Sequence, residues 1–138
     1  MNLTTKLIRK GKGAVLRAIA DTHDGRERCK TLEFVKEMGR KHPNELSKLA
    51  RLWSDTAESG PPRNKEKFRK LDGSDDIWEF KTTKIRLLCF RDEGSFIICT
   101  HGFVKKTQST PKKEIKLAET EKKKYLQAKE KGKLKHEK

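Results

Sequence analysis

The sequence lacks any Cys-x-x-Cys pair. Its three cysteines, Cys29, Cys89 and Cys99, stand far apart. Neither a zinc site nor an even-numbered disulfide framework is indicated, so they read as reduced thiols in or beside the core. Long apolar runs are missing too, and nothing approaches the roughly 18 uncharged apolar residues of a membrane span. The opening Met1-Asn2-Leu3-Thr4-Thr5-Lys6-Leu7-Ile8 meets Arg9, Lys10 and Lys12 at once. Those charges interrupt anything resembling a signal peptide's apolar core, and a cytoplasmic protein without a membrane partner is the expectation. HExxH, a phosphate-cradling Gly-rich loop and carboxylates paired at a recognisable spacing are also absent, and no metal or cofactor is expected.

Positive charge is abundant. Lys and Arg number 35 against 20 Asp and Glu, a formal +15 over 138 residues. Such an excess favours a polyanionic partner, because affinity for nucleic acid grows with the phosphates neutralised and counterions released. Residues 105–138 alone hold 13 Lys against 5 Glu, a difference of +8. Hydrophobic residues make up 32%, enough for one core with loose ends: a flexible basic lead over 1–12, one domain over 13–128 and a flexible basic tail over 129–138.

Periodicity divides that domain. Ala14 to Ala20 is a short apolar run stopped by the turn formers Asp21-Thr22-His23-Asp24-Gly25, and reads as a strand, with helix the alternative because Ala and Leu favour it. Leu32, Phe34, Val35 and Met38 recur at helical spacing until His42-Pro43 breaks the pattern. Leu46, Leu49, Trp53 and Ala57 form a second helical stripe, closed by Ser59-Gly60-Pro61-Pro62. The period then changes to two over 68–71, 77–81, 85–90 and 95–104, the signature of an antiparallel meander. Thr110-Pro111 reads as the cap and first position of a last helix with a thin stripe of Ile115, Ala118, Tyr125 and Leu126. The sum is an α+β domain: a mostly antiparallel four- to five-stranded sheet packed on two N-terminal helices, followed by a C-terminal helix.

Among the histidines, His23 and His42 fall in turns and His136 in the tail. His101 ends the longest apolar strand, where a titratable ring serves either proton transfer or structural hydrogen bonding. Arg86 interrupts an otherwise apolar strand, and Glu79 and Lys81 alternate with Trp78 and Phe80. Charged side chains on one sheet face either line a substrate groove or merely solvate that face. Trp78 either packs in the core or stacks on a base.

Several blocks resemble a known family. Phe68-Arg69-Lys70-Leu71-Asp72-Gly73, Ile77-Trp78-Glu79-Phe80-Lys81, Arg86-Leu87-Leu88-Cys89-Phe90, and above all His101-Gly102-Phe103-Val104-Lys105-Lys106-Thr107-Gln108-Ser109-Thr110-Pro111 are similar to the phage-derived Gp49-like proteins of the RelE/HigB toxin superfamily. The resemblance spans about residues 13–126. It implies a RelE-like fold, a cognate antitoxin protein as partner, and endoribonuclease action on mRNA, often on the ribosome. Arg69, Lys81 and Arg86 match basic positions of the family pattern, although Lys81 replaces the more usual arginine and lacks its bidentate fork. His101 and Glu79 match the terminal block and the acidic member of the Trp-Glu pair. In this reading Arg86, Arg69 and Lys81 hold the scissile phosphate, His101 or Glu79 moves a proton, and Lys67, Lys70, Lys105, Lys106, Lys112 and Lys113 bind RNA. The rival expectations are a non-catalytic RNA- or ribosome-binding protein and a phage accessory protein.

Overall fold

The computed structural model describes residues 2–138. In chain order it contains β1 (Leu3–Lys10), β2 (Val15–His23), β3 (Arg26–Arg28), α1 (Lys30–Lys41), α2 (Pro43–Ser59), β4 (Phe68–Lys70), β5 (Trp78–Lys81), β6 (Ile85–Asp92), β7 (Phe96–Val104), α3 (Lys112–Glu130) and β8 (Leu134–His136). All the strands belong to one eight-stranded sheet of order β4-β5-β6-β7-β2-β1-β8, with β3 hanging on the end of β2. Neighbours pair antiparallel except β2 with β7 and β1 with β8, which are parallel.

Helices cover both faces of the sheet. On one side Phe34 and Met38 of α1 and Leu49, Trp53 and Ala57 of α2 bury against Leu16, Phe68, Phe80, Leu87 and Cys99. On the other, Ala118, Tyr125 and Ala128 of α3 bury against Leu3, Ile19, Leu88, Phe90 and Ile98. Strand alternation explains the split: Leu87 and Leu88 are adjacent in β6 and necessarily face opposite helix layers. Gly102 permits the close approach of α1, because a Cβ there would lie 2.5 Å from the Phe34 ring.

This architecture corrects the expected four- to five-stranded, mostly antiparallel sheet under two N-terminal helices. The helices lie in the middle and at the C-terminal end of the chain, and the sheet is mixed and larger. Both ends of the chain, expected as flexible, contribute strands. In β1 the inward residues are Leu3 and the fully buried Thr5, too few apolar positions to declare a strand. The three-residue β3 and β8 carry no readable period at all. Each is held by its neighbour: in β8's case the Glu137 N–H donates to Thr5 O at 2.9 Å, and the Thr5 hydroxyl meets His136 Nδ1 at 2.5 Å. Two apolar positions counted in helical stripes, Leu32 and Leu126, are exposed.

Candidate functional site

The strand pairings put the expected site residues into cross-strand rows. Arg69 lies opposite Glu79, Glu79 opposite Leu88, and Leu88 opposite His101; the next row sets Lys81 opposite Arg86 and Arg86 opposite Phe103. Directly opposite residues share a face, so all of these look away from α1 and α2. The basic residues among them reach an open groove of about 1090 Å³ at the sheet edge, between α2, the segment before β4 and the β5–β6 turn.

Seven cationic residues line that groove: Lys48, Arg51, Lys67, Arg69, Lys81, Arg86 and Lys105. Two carboxylates, Asp55 and Glu66, line it as well. Lys48 is paired with Glu45 at 2.8 Å, Arg51 with Asp55 at 3.8 Å and Arg69 with Glu79 at 2.7 Å. Among the described residues Lys67, Lys81, Arg86 and Lys105 make no ion pair, and Glu66 and Glu79 act on Lys81 and Arg86 only from a distance. Burial first, then the Arg69 and Arg86 guanidiniums, push the Lys81 ammonium below its usual value. Burial likewise lowers Arg86. Like charges gathered with little close neutralisation oppose folding locally, and a concavity of one sign focuses its field on anions.

The groove is held in shape by groups behind it. Arg86 Nη1 donates to Thr82 O at 2.7 Å and to Ile85 O at 2.9 Å, which fixes the guanidinium across the β5–β6 turn. Glu45, at the start of α2, accepts from the Thr82 hydroxyl at 2.8 Å, from the Lys84 N–H at 2.6 Å and from Lys48 Nζ at 2.8 Å, tying helix to turn. Burial alone would raise its pKa. The hydrogen bonds from Lys48, Thr82 and Lys84 outweigh that and hold it at about 2.

Glu79 and His101 are placed differently from the basic residues of the groove. Glu79 has no exposure to solvent, and both oxygens are engaged: Arg69 Nε donates to Oε2 at 2.7 Å and the Thr110 hydroxyl to Oε1 at 2.6 Å. His101 is buried under α3, outside the groove lining, with Nδ1 3.0 Å from the Thr100 hydroxyl and Nε2 3.2 Å from Glu114 Oε1. Burial lowers its pKa against the opposing pull of Glu114. Of the expected RNA-binding lysines, Lys67 and Lys105 line the groove. Lys70 lines a second groove on the other side of Arg69, and Lys106, Lys112 and Lys113 are exposed elsewhere.

Sequence reasoning missed Lys48, Arg51, Glu66 and Gln108. The α2 pair sits one turn apart on the side opposite the apolar stripe, a signal present in the sequence but shared by any solvated helix face. Among the described residues no cluster of three His, Cys, Asp or Glu side chains could hold a metal ion, and no helix is long and apolar enough to cross a membrane.

Fold and site together define a three-layer α+β protein with a cation-lined groove at one sheet edge. Residues 36–123 match the family model of the phage derived protein Gp49-like (DUF891), which places the chain in that family. No curated protein matches it.

Proposed function

We propose that the groove grips the RNA backbone and that the protein is the toxin of a type II toxin–antitoxin pair of the RelE/HigB superfamily. It cleaves mRNA, at the ribosome, and is restrained by a cognate antitoxin. The observation that carries this reading is the convergence of Lys67, Lys81, Arg86 and Lys105, without carboxylate partners, beside Arg69 in one groove. Membership of a phage-derived family fits a toxin–antitoxin context.

Cleavage without a metal requires the ribose 2′-oxygen to attack phosphorus as its proton leaves, and the departing 5′-oxygen to receive a proton. The products are a 2′,3′-cyclic phosphate and a 5′-hydroxyl. Arg86 and Arg69 supply forked donors for the phosphorane oxygens, and Arg86 is pre-oriented by its two backbone acceptors. Lys81, whose ammonium is disfavoured by burial and by Arg69 and Arg86, is the groove's donor to the departing 5′-oxygen, and the 2′-proton passes to water. Glu79 and His101, whose polar atoms are engaged behind the groove, act as supports: Glu79 aims Arg69, and His101 ties β7 to α3 through Glu114.

The engagement of those two residues equally suits a non-catalytic RNA-binding protein, and one experiment separates the readings. Parent, Arg86→Ala and Lys81→Ala chains are expressed from an inducible promoter and mRNA 5′ ends are mapped, with circular dichroism checking the fold of each. Discrete new ends and growth arrest in the parent, reduced on the order of 10²-fold or more in Arg86→Ala, are expected. Intact transcripts alongside salt-sensitive RNA binding leave a binding protein alone.

A further inference from the structure

A second groove, of about 650 Å³, adjoins the first, and Arg69 lines both. Its floor is aromatic: the half-buried Trp78 stacks on Phe68 with ring centroids 4.9 Å apart and planes 14° from parallel. The Arg91 guanidinium lies 5.8 Å from the Trp78 ring centroid. Around this platform stand Arg63 and Lys65, both exposed and without ion pairs among the described residues, Lys70, which pairs with Asp76 at 2.8 Å, and the carboxylate of Asp72. One side of the indole packs on the main core, and its open side faces a groove lined by five cations and one carboxylate, Asp72, which is more than a plain solvated face requires. Phosphates satisfy the cations, and a flat π-surface satisfies the indole.

We propose that this second groove is a nucleotide subsite for single-stranded RNA, in which one unpaired base stacks at Trp78 in the place Arg91 now occupies and the adjoining phosphates lie against Arg63 and Lys65. The strand then crosses Arg69 into the groove of Lys81 and Arg86. Duplex RNA is excluded because its bases are already stacked on one another and are not free to meet a side-chain ring. A simple polyanion would use the cations and leave the indole untouched. The inference rests on the RNA reading of the first groove, and it supplies what that groove lacks: a contact that recognises a base as well as a phosphate.

The test uses the full chain carrying Trp53→Phe, which leaves Trp78 as the sole tryptophan. The probes are a 2′-O-methyl hexanucleotide that resists cleavage, the same length as a duplex, and inorganic polyphosphate. The single strand is expected to quench Trp78 fluorescence, and polyphosphate to bind without quenching. Trp78→Leu should weaken single-strand affinity about 5- to 160-fold, the usual range for losing one stacked base, while polyphosphate affinity holds. Because Trp78→Leu also removes the stack on Phe68, Arg63→Ala with Lys65→Ala provides a second variant at exposed positions. It should weaken the single strand and lessen the quench at a fixed concentration. Single-strand binding without quenching, equal quenching by duplex, or unchanged affinity in both variants overturns the subsite. Quenching without any mRNA cleavage in cells keeps the subsite and removes the nuclease; cleavage without quenching does the reverse.

Discussion

Arg69 and Glu79 face each other across β4 and β5, and the Arg69 Nε donates at 2.7 Å to a carboxylate that has no solvent exposure. The arginine remains about one-third exposed, and so reaches both grooves while its base is fixed. Removing the carboxylate leaves the Thr110 hydroxyl and the guanidinium without their acceptor. Glu79→Ala is expected to cost about 1–3 kcal/mol in urea melts, the usual penalty for orphaned buried donors. It should also weaken RNA binding through a loosened Arg69. Glu79→Gln keeps one acceptor oxygen and should lose less on both counts; a Glu79→Ala chain as stable as the parent would refute the buttress.

Lys81 opposes folding at the position where the proposed function has it meet RNA. Its ammonium is disfavoured by burial and by Arg69 and Arg86, so its pKa in the folded chain lies below that of the unfolded chain. Between those two values the unfolded state holds more protons, and stability therefore rises as pH climbs toward the unfolded value near 10.5. Lys81→Met should raise stability at pH 7, by on the order of 0.5–2 kcal/mol, and flatten that alkaline rise. The same variant should lose RNA cleavage. Thermal melts at pH 7 and pH 10 read the first effect, and a loss of stability in Lys81→Met contradicts it.

Glu45 predicts the acid limit of the groove. Its carboxyl is held at about 2 against an ordinary value of 4.5. Its stabilisation is thus fully present above about pH 4.5 and is lost as pH falls toward 2. The loss is on the order of 3 kcal/mol. Glu45→Gln should be less stable at pH 7 and show a shallower decline below pH 4.5. Because Glu45 holds the turn carrying Thr82, the variant should also weaken RNA binding with Lys81 and Arg86 intact. Identical acid transitions in variant and parent would sink the assignment.

The C-terminal strand makes a different pH prediction. Burial, then Arg17, lowers the pKa of His136, which sits against Thr5, Phe96 and Tyr125. A lowered histidine pKa means that stability is present at neutral pH and is lost as pH falls below about 6.5 through the folded-state value. His136→Asn should be less stable at pH 7.5 and less sensitive to acidification to pH 5. Deleting residues 133–138 removes β8 and should cost about 1–3 kcal/mol through the lost hydrogen bonds to β1. A truncated chain as stable as the parent would mean that β8 contributes no net stability.

Local pattern carried much of the fold. The stripe Leu49, Trp53 and Ala57 is buried as its spacing requires, the break at His42-Pro43 separates α1 from α2, and the four period-two segments are β4 to β7. Alternation is too thin elsewhere: a strand such as β1, with lysines and threonines among its few apolar residues, is recognisable only once β2 and β8 flank it. The parallel pairing of Val15–Ala18 with Phe96–Cys99 joins residues far apart in the chain, and no local period records it.

Charge, the family blocks and the amphipathic short segments are legible in the chain alone, because composition and periodicity are local quantities. Tertiary structure decided which cations are neutralised. Arg69, Lys81 and Arg86 look alike in the chain, yet only Arg69 meets a carboxylate, while Glu79 and His101 turn their polar atoms to Thr110 and Glu114. Electrostatic compensation depends on distances across strands and between layers, and those distances come into existence only when the sheet closes.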